Sequence, residues 1–67
     1  SPDKQLSNRE KEILRLIRQG FLSKEIAYQL GVSIYTVNNH RKNILSKLNA
    51  NNIMEAIHIV ENLGIYL

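Results

Sequence analysis

Cysteine is absent from these 67 residues, so neither a disulfide framework nor a thiolate metal site is available. That suits a reducing compartment and sets the expectation of a cytoplasmic protein. No apolar run approaches the ~20 residues that span a bilayer, and no signal peptide opens the chain. His40 and His58 are the whole imidazole supply. They fall on different expected helices, with no second pair at ligand spacing, so no metal site is expected. No glycine-rich phosphate loop and no serine–histidine–acid set is visible, which removes the usual routes to catalysis. A chain this short buries only ~60% of the surface it exposes when unfolded, which leaves no room for an enclosed active site. The expectation is one small non-enzymatic domain without a cofactor.

Acidic residues are missing from one long window. The six acids are Asp3, Glu10, Glu12, Glu25, Glu55 and Glu61, so none lies between residues 26 and 54. The same window carries His40, Arg41, Lys42 and Lys47, and the net charge is +3. A polyanion can approach this segment without repulsion, although a solvated helix face can carry the same charges.

Residues 1–5 are polar, include a proline, and look like the end of a linker; residues 6–67 then form the domain. The chain starts at Ser1 without a methionine, as an excised piece of something longer does. Four helices are expected, at about 8–19, 24–30, 34–48 and 53–63. Ser7 and Glu10 have capping-box spacing at the first, and Ile13, Leu14, Leu16 and Ile17 make its apolar stripe. Glu10 leans toward that apolar side. A cap explains it more simply than catalysis, which needs a partner acid or base. Gly20 ends the helix. Ser23 is expected to cap the second helix, whose Ile26, Ala27 and Leu30 turn inward.

Gly31 makes the next turn. Ser33 caps the third helix, and Val32 sits where a hydrophobic staple packs on Val37. At ~100° per residue, Val37, Ile44 and Leu48 share one face of that helix, with His40 at its edge. Tyr35, Asn38, Asn39, Lys42 and Ser46 occupy the other. Asn49 takes the left-handed position after the helix. Asn52 and Glu55 repeat the capping-box spacing at the fourth helix. Its inward stripe is Ile53, Ala56, Ile57, Val60 and Leu63, which leaves Ile59 on the outer face, either as a contact or packed under the C-terminal Ile65-Tyr66-Leu67 segment.

With Ser23 as the first position of a helix-turn-helix, Ala27 is fifth, Gly31 ninth and Val37 fifteenth. The small residue permits a close helix crossing, the glycine permits the sharp turn, and the branched residue locks the second helix onto the first. An ordinary helical hairpin shares this spacing. The acid-free second helix, with its outward polar face, favours DNA binding. The fold class expected is all-α, a four-helix bundle containing a helix-turn-helix.

Leu6-Ser7-Asn8-Arg9-Glu10-Lys11-Glu12-Ile13-Leu14 resembles the opening of the LuxR/NarL/FixJ family of DNA-binding domains. Gly20, Lys24-Glu25-Ile26-Ala27, Leu30-Gly31-Val32-Ser33, Thr36-Val37, His40, Ile44, Lys47-Leu48 and Glu55-Ala56 continue the match in register, without a gap, over roughly residues 6–63. The resemblance implies four helices with the third in the major groove of double-stranded DNA. It implies the output domain of a bacterial transcription regulator, behind a receiver or ligand-sensing domain, with RNA polymerase as a further candidate partner. By the same resemblance Asn38, Asn39 and Lys42 read base edges, as asparagine can with adenine and lysine with guanine. Lys24, Ser33, Tyr35, Thr36, Arg41 and Lys47 match positions that contact phosphates. The fourth helix commonly supplies a homodimer contact in this family, for which Ile59 is the candidate. Two departures stand out: many members carry a cation where this chain has Asn38, and often arginine where it has Ile53.

Region four of a sigma factor shares the opening motif and a similar helix-turn-helix. The capped fourth helix, which that alternative does not require, favours the regulator. A helical protein-interaction domain is the other alternative, and the acid-free window around the third helix speaks against it.

Overall fold

The computed structural model describes residues 6–65 and 67. The linker expected at 1–5, and Tyr66, lie outside the described residues. Four helices follow one another: α1 Asn8–Arg18, α2 Ser23–Leu30, α3 Ile34–Leu48 and α4 Ile53–Asn62. No strand occurs among the described residues. The expected elements are all present. Here α1 and α4 each end a residue earlier than expected, and α2 starts one earlier.

The helix starts are local chemistry. At α1, Ser7 Oγ accepts the Glu10 backbone N–H at 3.0 Å, and Glu10 Oε1 accepts the Ser7 N–H at 2.8 Å. This is the reciprocal capping box. Ser33 Oγ accepts the Thr36 N–H at 3.1 Å to start α3. Asn52 Oδ1 accepts the Glu55 N–H at 2.9 Å to start α4. The Glu55 carboxylate completes no box there, because it accepts from the backbone and side chain of Asn51 instead.

The α2 start corrects the sequence reading. Ser23 is not the cap but the first helical residue; the cap position belongs to Leu22, with extended φ −79° and ψ 157°. A leucine side chain offers no acceptor. Half of the box survives through Glu25, whose Oε1 accepts the Leu22 N–H at 2.7 Å.

All four helices end in the same device. A residue with positive φ follows each: Gly20, Gly31, Asn49 and Gly64. The next residue then donates its N–H to a carbonyl five residues back: Phe21 to Leu16, Val32 to Ala27, Ala50 to Leu45, and Ile65 to Val60, at 2.9–3.1 Å. This is the Schellman pattern, with an apolar residue at each end of the long hydrogen bond. Phe21, Val32, Ala50 and Ile65 accordingly join the partly buried shell around the core.

The core is built on Ile13, Leu14, Ile26, Val37, Ile44, Ala56 and Val60, all fully buried. Leu6 and Leu67 close it from the two ends of the chain. The helix α3 packs against each of the other three, so its polar outer face is held by the whole domain. One expectation for α4 fails. Leu63 is not part of the inward stripe but 54% exposed, because α4 stops at Asn62 and the turn at Gly64 brings Ile65 back instead. Ile59 does not stand free on the outer face; it is half-buried against the core, as the alternative of packing rather than contact had it, since a helix in so small a domain buries a face wider than a minimal stripe.

Candidate nucleic-acid interface

The α2–turn–α3 unit carries the candidate site. Gly31 has φ +69°, a conformation that glycine alone adopts without a steric cost, and it sets the angle between the two helices. Ala27 is buried on α2 and Val37 on α3, as the helix-turn-helix spacing requires. The start of α3 is pinned by Ser33, whose Oγ also lies 3.1 Å from Thr36 Oγ1. The polar face of α3 is thereby fixed at both backbone and cap.

Asn38, Asn39 and Lys42 are exposed on that face, opposite the buried Val37, Ile44 and Leu48. Lys24 is exposed at the start of α2, and Arg41 is half-buried on a flank of α3. Tyr35 is 73% exposed on the first turn of α3. The sequence-derived residues thus lie on α2, the turn and α3, and among the described residues none of their charged side chains is held in an ion pair, with one exception.

That exception is Lys47. Its Nζ lies 2.8 and 3.0 Å from the two carboxylate oxygens of Glu10, which is buried at the start of α1. The pair joins residues 37 positions apart, so neither helix periodicity nor a motif reveals it. On the helical wheel Lys47 leaves α3 roughly 110° away from the Tyr35–Asn39–Lys42 stripe, on the side opposite Arg41. Its charge is paired with Glu10, so it is a poor candidate for a phosphate contact. Burial alone pushes the Glu10 carboxyl up. Hydrogen bonds from Lys47 and Ser7, together with the Lys47 charge, outweigh it and hold the group below its ordinary value.

The remaining cations sort the same way. Arg9 and Arg15 flank Glu12, at 3.1 and 3.8 Å, and Arg18 reaches Glu61 at 3.9 Å. Lys24, Arg41 and Lys42 have no acidic or hydrogen-bonding partner among the described residues. The unneutralised positive charge thus lies on α2 and α3, beside the asparagines, while the arginines of α1 are paired with Glu12 and with Glu61 of α4. His40 is half-buried and its Nδ1 is buried without a hydrogen-bond partner among the described residues. Among the described residues, no three His, Cys, Asp or Glu side chains gather where they could hold a metal ion.

The family model described as bacterial regulatory proteins, luxR family, matches residues 4–60. The chain is 46% identical over 65 residues to the response regulatory protein YgeK of Escherichia coli K12, covering 97% of this chain and 44% of that protein. It is 38% identical over 58 residues to the response regulator protein TmoT of Ectopseudomonas mendocina, covering 87% and 26%. The solved structure of the transcription factor GerE superposes with a TM-score of 0.86 at 37% identity, covering 90% of each chain. The chain spans less than half the length of these curated relatives.

Proposed function

This chain belongs to the luxR family of bacterial regulatory proteins, and from that premise we propose that it is the DNA-binding output domain of a transcription regulator. The observation that carries the reading is the segregation of charge. Lys24, Arg41 and Lys42 stand unpaired on α2 and α3 among the described residues, and no acid lies between residues 26 and 54. Asn38, Asn39 and Lys42 read base edges in the major groove of double-stranded DNA. Lys24 and Arg41, with the hydroxyls of Ser33, Tyr35 and Thr36, hold phosphates and set the register. Lys47 is left out of this set because Glu10 holds it. The domain performs no catalysis; its work is recognition in the cytoplasm, with RNA polymerase reached through the full-length regulator.

A homodimer contact through α4, including Ile59, completes the proposal. The sigma-factor alternative has the luxR-family match and the capped α4 against it. Selection from a random duplex pool tests the function. Enrichment of a defined sequence supports it, and binding that ignores both sequence and salt rejects it.

A further inference from the structure

Ile34 and Tyr35 open α3 with their side chains 49% and 73% exposed, and neither belongs to the core or to its surrounding shell. Folding therefore gives no account of an isoleucine and a tyrosine side by side at this position. Their placement is not loose. Ser33 caps the helix immediately before them, and its bonds to Thr36 fix the turn that carries them. Asn38 follows Ile34, and Asn39 follows Tyr35, at the four-residue spacing that makes neighbours on a helix. The patch shares α2 and α3 with Lys24, Arg41 and Lys42, which are unpaired among the described residues, so its natural occupant is a polyanion with an apolar group of its own. In the major groove that group is the C5-methyl of thymine.

We infer that Ile34 and the ring of Tyr35 read thymine methyl groups, one helical turn ahead of the adenine-reading asparagines. The inference rests on the DNA-binding reading above and deepens it, because it names a base. The tyrosine can serve two roles at once: its ring is apolar and its hydroxyl tip stays free for a phosphate. The two readers together favour a half-site built on A·T pairs.

The test replaces thymine by deoxyuridine, one position at a time, in the sequence selected from a random pool. This removes the methyl group and keeps every base-pairing group. Wild-type affinity should fall about three- to fivefold at one or two positions, the effect of one buried methyl. In Ile34→Ser/Tyr35→Ser those penalties should disappear, whatever the variant's overall affinity, because the comparison is a double difference. Both residues are exposed, so the variant should fold, and the wild-type arm stands without it. A selected half-site without thymine overturns the inference. So does uracil that costs nothing, or a penalty that persists in the variant. Failure to select any sequence rejects the DNA reading itself, whereas a selected sequence indifferent to uracil rejects the methyl readers alone.

Discussion

At the scale of single residues, the two lysines of α3 have different jobs although they stand five residues apart. Lys42 is exposed and unpaired, whereas the Lys47 ammonium sits on the Glu10 carboxylate. Lys42→Ala and Asn38→Ala should relax preference at particular base pairs by ~1–3 kcal/mol, read on a panel of single-base operator changes. Lys24→Ala should weaken all sequences alike and lower the salt slope by about one. If Lys24→Ala instead alters the preferred sequence, α3 has been docked wrongly. Lys47→Met should leave the salt slope unchanged and destabilise the fold by about 1–3 kcal/mol, since it strips a charged hydrogen bond from a buried carboxylate. Glu10 also makes stability depend on pH. Its folded value lies below the ordinary 4.5, so its contribution is fully present above that value and is lost as the pH falls through the lower, folded one. Urea midpoints between pH 6 and pH 3 should fall more steeply for wild type than for Glu10→Gln. Parallel curves would remove Glu10 from the acid limb.

At the scale of elements, the helices are bounded by residues acting within six positions of themselves. That locality is why Ser7, Ser33, Asn52, Gly31 and Asn49 could be recognised from the sequence. The α2 start was misread for a related reason. Ser23 has the better capping chemistry, but the chain turns one residue sooner, where Glu25 can reach the Leu22 N–H. Leu22 is 59% exposed and contributes little to packing, so Leu22→Ser should supply the missing acceptor and raise stability by about 0.5–1 kcal/mol. An unchanged or lower urea midpoint would show that Glu25 already satisfies this end. The helix ends were only half legible: the left-handed residues stood out, but not the apolar residue after each. Phe21, Val32, Ala50 and Ile65 matter because the turn returns them to the core, and hydrophobicity alone does not mark them. Asn49, with φ 53°, is the non-glycine member of the set. Asn49→Ala should cost about 1–2 kcal/mol, and Asn49→Gly should cost nothing or stabilise slightly. Contacts between distant elements were the least legible. The Glu10–Lys47 pair, the burial of Leu6 and Leu67, and the cover over Ile59 all depend on how helices pack, which helix periodicity does not specify.

At the scale of the whole molecule, a net charge of +3 understates the asymmetry. The cations of α1 are held by Glu12 and Glu61 or lie beside their own acids, while Lys24, Arg41 and Lys42 on α2 and α3 have no such partner among the described residues. Three phosphate-neutralising cations at ~0.9 each give one domain a slope of about 2.7 for log affinity against log salt. A second copy of the domain would add its own phosphate contacts to that slope. An α4 contact would provide it, and two-fold symmetry then demands an inverted repeat with half-sites about one helical turn apart. The salt slope on that repeat should be about twice the slope on a single half-site, with two chains bound per duplex by sedimentation. Ile59→Glu should return both to the single-site values. Because Ile59 is half-buried, the variant's melting transition must be checked, and Met54→Glu, at a 71% exposed position of the same helix, probes the outer surface without touching the core. Equal slopes on the repeat and the half-site in wild type dispose of the dimer without recourse to either variant. A doubled slope that survives both substitutions keeps the dimer and moves its contact off α4.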